Sequence, residues 1–185
     1  MCLSSLLDLS TVAALVQSHG IVTHPPVRVP GPASLAACGP AITDIIKADN
    51  QTGTEVLHKA SSTDSKFQPD KCNIALCKGL QLEHNLNNVQ KYKPGDVVDF
   101  TVWTRIPHKG WASVAIVDAT TPYPNLLVGE PLVNFETDSV TGYSHAMDEE
   151  GTLTAPVDME FNVNIPTNLG DRCSRPGNCV RHSAL

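Results

Sequence analysis

The chain has 185 residues, with 13 Lys and Arg against 19 Asp and Glu for a formal net charge of −6, and 41% of its residues are hydrophobic. That length holds one domain with a real core and is too short for two ordinary ones. The acidic balance, with no stripe of Lys and Arg, points away from nucleic acid and is read as solubility.

Residues 1–18 read as a signal peptide. Residues 3–16 are mostly apolar or small, and Val16-Gln17-Ser18 has the small-residue pattern of a cleavage site. Met1 to Ser5 lacks Lys and Arg, and Asp8 interrupts the apolar run, so a first core helix is the competing reading. No later segment approaches the ~20 apolar residues of a membrane span. The expected product is secreted, extracellular and monomeric, with a domain over 19–180 and an aberrant tail at 181–185.

Residues 19–40 are rich in Pro and Gly, which argues against a long helix there. They read as a surface segment pinned at Cys38, and 41–48 reads as a short helix. Asn50-Gln51-Thr52 is a glycosylation sequon, with an unmodified Asn50 as the alternative. Residues 96–104 (DVVDFTVWT) alternate apolar and polar and are rich in β-branched and aromatic side chains, and 111–117 (WASVAIV) alternate again. Between them, Arg105-Ile106-Pro107-His108-Lys109-Gly110 reads as a hairpin or sandwich connection. Residues 126–135 and 159–165 are further strand candidates. The acidic Asp148-Glu149-Glu150 lies in a segment read as a solvated loop. The pattern predicts an all-β sandwich.

Once Cys2 leaves with the leader, Cys38, Cys72, Cys77, Cys173 and Cys179 remain. In an oxidising compartment they should pair. Cys72 with Cys77 and Cys173 with Cys179 would close short loops, leaving Cys38 unpaired. A zinc site competes poorly, because neither close pair is a C-x-x-C and no His stands at finger spacing.

Seven His are present. His19 differs from the others because cleavage after Ser18 makes it the amino terminus. It then offers an amine and a ring from one residue. An α-amine titrates near ~8, so a metal displaces its proton easily at neutral pH. His108, in a short loop between two strong strands, is the best second ligand. Three nitrogens in a T favour copper over zinc or calcium.

These residues carry a family resemblance. His19-Gly20-Ile21-Val22-Thr23, Arg28-Val29-Pro30-Gly31 and Ala36-Ala37-Cys38-Gly39 resemble the start of fungal lytic polysaccharide monooxygenases. The type they resemble is the small cellulose-oxidising one, auxiliary activity family sixteen, with a chitin-binding-like domain. Lys71-Cys72-Asn73, Leu76-Cys77-Lys78-Gly79, Tyr92-Lys93-Pro94-Gly95 and Pro107-His108-Lys109-Gly110 continue it. So do Gly129-Glu130-Pro131-Leu132, Ile165-Pro166, Leu169-Gly170 and the loop from Cys173 to Cys179, so that the resemblance spans 19–180.

The resemblance implies an immunoglobulin-like or fibronectin-like β-sandwich with short loop helices. It implies one copper ion in a histidine brace of His19 (amine and ring) and His108 (ring), which are then the catalytic residues. It also implies a polysaccharide substrate, cellulose before chitin, with an external electron donor and oxygen or peroxide. Relatives continue past the Cys173–Cys179 loop into a Trp-rich strand with a Gln, an axial Tyr or Phe and a final Cys. Those strands, and with them a partner for Cys38, are expected to be missing here through a fault in the inferred gene structure. Residues 121–127 (TPYPNLL) also depart from shorter relatives. Two readings compete with an oxidative enzyme. One is a non-catalytic copper or polysaccharide binder on the same scaffold, and the other is a cell-wall-binding module without metal.

Overall fold

The computed structural model describes residues 19–106, 112–119, 127–135, 157–169, 173 and 179–184. The alternation at 96–104 becomes strand β2, Val97–Ile106. Val98, Phe100, Val102 and Thr104 are buried, whereas Val97 and Asp99 between them are exposed, as a period of two requires. Strand β1 (His19–His24) pairs antiparallel with one side of β2. Strand β5 (Val157–Asn164) pairs antiparallel with the other, giving the order β1-β2-β5. Phe100 and Phe161 stand opposite in that register, and their rings stack with centroids 5.0 Å apart.

A second sheet has the order β4-β3-β6, from β3 (Ala112–Asp118), β4 (Val133–Phe135) and β6 (Cys179–Ala184). All its pairings are antiparallel. β2 and β3 are consecutive yet belong to different sheets, so their connection is not a hairpin. The candidate strand at 126–135 is realised as β4 and as an isolated bridge from Leu127 to Val117. One apolar cluster draws from both sheets. Val22, Val98, Phe100, Val102, Met159 and Val163 come from the first, and Val114 and Ile116 from the second. The described architecture is therefore mostly β, built from antiparallel sheets with a few short helical pieces.

Residues 181–184 are not a tail. They continue β6 against β3, from Cys179 opposite Asp118 to Ala184 opposite Ser113. The edge of β3 offers a row of backbone donors and acceptors, and pairing satisfies them whatever the side-chain pattern of the partner.

The Pro- and Gly-rich stretch holds more helix than its composition suggests. α1 runs from Pro32 to Ala48 in two pieces, broken at Gly39 (φ 79°, ψ 167°). Each piece starts at a proline, Pro32 and Pro40, whose missing N–H costs nothing in a first turn. Asp64 Oδ2 accepts from the Ala41 N–H at 2.9 Å and so caps the restarted piece. A side chain at Gly39 would strike that same carboxylate. α2 (Thr54–Ser61) follows. These helices bury a second apolar cluster of Ala37, Cys38, Ile42, Ile46, Leu57, Cys72, Ile74 and Leu80.

Within that cluster the cysteine pairing differs from expectation. Cys38 bonds Cys72, with Cα atoms 5.1 Å apart across 34 residues of chain, and among the described residues Cys77 is a free thiol. Neither the Cys72–Cys77 pair nor an unpaired Cys38 is present. Proximity in sequence favoured the short loop, but burial decides the partners. Cys38 and Cys72 are both nearly inaccessible inside one cluster, while Cys77 is only half-buried. Cys173 is disulfide-bonded, and the side chain of Cys179 lies outside the described residues.

Candidate functional site

β1 begins at His19, and its register places His19 opposite Ile106, the last residue of β2. The register is not uniform. Gly20 faces Thr104 while its neighbour His19 faces Ile106, so Arg105 is the extra residue of a β-bulge. Bulges of this kind re-aim a side chain and are frequent beside functional sites.

The Arg105 side chain reaches Asp49. Its Nη2 donates to Asp49 Oδ2 at 2.9 Å and its Nη1 to Oδ1 at 3.3 Å, a two-pronged pair with both side chains a little over a third exposed. Asp49 is the C-cap of α1. Its N–H donates to the Ile45 carbonyl at 2.8 Å, and its Oδ1 also accepts the Gln51 N–H at 3.0 Å. The end of α1 is thus tied to the end of β2.

The surroundings of this tie are polar and partly desolvated. Lys78 Nζ donates to the Asn50 carbonyl at 2.8 Å. Burial holds the Lys78 ammonium below the ordinary lysine range, against the opposing pull of Asp49 and Glu55. Gln51 is buried, and among the described residues its Oε1 has no hydrogen-bond partner. Cys77 and Lys78 both have left-handed backbone, φ 50° and 56°. The Cys77 thiol is pushed above its ordinary value by burial, with Arg28 acting in the opposite direction.

Of the residues singled out in the sequence, His19 is described by its backbone alone, and His108 lies outside the described residues, as do Asp148, Glu149 and Glu150. Asn50 is exposed at the turn after α1, and Thr52 of its sequon is buried. Among the described residues no group of three or more His, Cys, Asp and Glu is placed to hold a metal. No described helix is long and apolar enough to cross a membrane. Arg105 and Asp49 carried no functional signal in the sequence. Arg105 read as the first residue of a loop, and nothing in the pattern joins it to a residue 56 positions earlier. Compared with known proteins, the chain matches no protein-family model and no curated protein.

Proposed function

We propose that this chain is a secreted copper protein in which His19, freed as the amino terminus, and His108 hold one copper ion for oxidative attack on a polysaccharide. The observation that carries the reading is the pairing of His19 with Ile106. Antiparallel partners have Cα atoms about 5 Å apart. His108 follows Ile106 by only two residues in the sequence, and this nearness along the chain supports assigning the two histidines to one site. An immunoglobulin-like β-sandwich is the fold that goes with this reading. Support for it comes from the two antiparallel sheets, the passage of the chain from one to the other between β2 and β3, and the apolar cluster they share.

The donor set fits copper. The amine and ring of His19 and the ring of His108 make three nitrogens, and such sets favour copper over calcium or magnesium. The amine must be deprotonated to bind, so affinity should fall below about pH 7. When bound, copper supplies one-electron redox chemistry through which an external donor and oxygen or peroxide oxidise a glycosidic carbon. The chain's task is to hold the three nitrogens in place at the sheet end. Cellulose is the first substrate to test and chitin the second.

The test uses protein secreted from a processing host, with His19 confirmed as its first residue. One Cu(II) per chain is expected, with an electron paramagnetic spectrum of nitrogen ligation that changes in His108→Ala. Absence of bound copper, or a spectrum indifferent to His108→Ala, would sink the copper reading. Cellulose or chitin with ascorbate and peroxide should yield oxidised oligosaccharides. Copper binding without such products would support the non-catalytic binder instead.

A further inference from the structure

We infer that a groove between the first piece of α1 and the segments 68–71 and 81–83 binds a sugar unit of a neutral glycan. The inference goes beyond the copper reading and stands without it, since none of these residues is a proposed copper ligand and none belongs to either sheet.

Three observations carry it. The first is the space. The groove has a volume of about 330 Å³ and is open to solvent, within the range of about 300–1,000 Å³ usual for small-molecule sites. Ala33, Ala36 and Ala37 of α1 line one side of it, so that methyl groups offer apolar surface and leave room for a ring. The second is rigidity. The Gln68 N–H donates to the Ala37 carbonyl at 3.0 Å, and its Nε2 donates to the Ala36 carbonyl at 2.7 Å. From the other segment the Gln81 N–H donates to Ser34 Oγ at 3.1 Å. Both segments are thus tied to the helix, and a preformed site loses less freedom on binding than one that must first be ordered.

The third is the inventory of hydrogen-bonding groups. Gln81 Nε2 gives its hydrogens to two backbone carbonyls, of Lys71 at 3.0 Å and of Gly79 at 2.8 Å. Its amide then offers a ligand only the acceptor Oε1. Gln68 keeps its Oε1 and one amide hydrogen. Lys71 and Glu83 complete the lining, and among the described residues neither side chain has a hydrogen-bond or ion-pair partner.

The ligand class follows from these groups. Acceptors outnumber donors, so the ligand must bring several donors of its own. The ammonium of Lys71 and the carboxylate of Glu83 oppose each other, so an ion drawn to one is repelled by the other. The alanine side favours exposed C–H surface. A pyranose meets all three conditions, with hydroxyls around its rim, no charge, and C–H groups on its faces.

The test uses the isotope-labelled full chain, kept copper-free with a chelator, and cellotetraose as the probe. Backbone amide resonances should shift at residues 33–37, 68–71 and 81–83 and stay in place in β5. Glu83→Gln and Lys71→Met should each weaken binding about three- to tenfold, as expected for one hydrogen bond to a charged group at an open site. Ala36→Leu, at an exposed helical position, should fill the groove and abolish binding, while its resonances elsewhere report an unchanged fold. Lys59→Met, exposed on α2 and outside the groove, should bind as wild type does.

No shift at the groove residues, undiminished binding in Ala36→Leu, or an equal loss in Lys59→Met would each overturn the inference. Oxidised products from a chain that does not bind at the groove would overturn this inference alone. Groove binding by a chain that takes up no copper would support it and overturn the copper reading alone.

Discussion

Cys38 and Cys72 join the first helix to a loop 34 residues later, and Gly79 lies directly against both of their sulfurs. Gly79 has φ 77°, and a Cβ there would come within 2.7 Å of the Cys38 sulfur. The left-handed backbone and the lack of a side chain are both needed for the loop to pass the disulfide.

Non-reducing peptide mapping should therefore recover Cys38 linked to Cys72. Closing a loop of this length restricts the unfolded chain by an amount worth about 3–4 kcal/mol. The double variant Cys38→Ala/Cys72→Ala should lose roughly that much stability in urea unfolding. A peptide linking Cys72 to Cys77 would show the pairing to be wrong.

The Cys77 thiol should react slowly with alkylating reagents in the folded protein and rapidly in urea. Burial raises its folded-state pKa above the ordinary 9.0. The unfolded chain therefore releases this proton first as pH rises, and folding then requires its recapture. The contribution is complete below 9.0 and is lost as pH climbs through the raised folded-state value. Wild type should thus lose stability relative to Cys77→Ala across that alkaline window. A difference between the two proteins that does not vary with pH would refute this.

The start of α1 makes a separate prediction. Gly31, its N-cap, supplies no side chain, and His84 Nδ1 accepts the Ala33 N–H at 3.3 Å instead. A Cβ at Gly31 would come within 2.8 Å of the His84 Cβ. Gly31→Ala should cost about 1–3 kcal/mol through this collision. His84→Ala should cost about 1 kcal/mol through the lost cap. Combining Gly31→Ala with His84→Gly, which removes the His84 Cβ as well as the ring, should cost less than the sum of those two single changes, because the obstacle is then gone. Strict additivity in thermal unfolding would contradict the arrangement.

Asn50 is exposed, and only its backbone carbonyl is engaged by Lys78. Chain secreted from a eukaryotic host should lose mass on treatment with an amide-cleaving glycosidase, and Asn50→Gln should abolish the difference. Thr52, although buried in the fold, is accessible while the chain is still being translocated. An unshifted mass would mean that the sequon is not used.

The strands were legible because their signal is local. At β2 the two-residue alternation states which side is buried, and the structure follows it from Val98 to Thr104. The first half of α1 was not legible, since Pro32, Gly39 and Pro40 read as helix breakers. They stand at helix starts and at the break between two pieces, positions at which those residues are tolerated. The disulfide was misjudged because short sequence separation says nothing about which sulfurs share a buried cluster.

By itself the sequence determined the β character of the chain, its strands at β2, β3 and β5, and the two histidines on which the copper reading rests. Tertiary structure alone decided that His19 lies across from Ile106, that Arg105 bulges out of β2 onto Asp49, and that Cys38 meets Cys72. The physical reason is common to all three. Periodicity and turn chemistry act over a few residues and can be read along the chain, whereas register, ion pairing and disulfide choice join residues 34 to 87 positions apart, here His19 to Ile106 at the far end (106 − 19 = 87), and are settled only when packed elements bring them together.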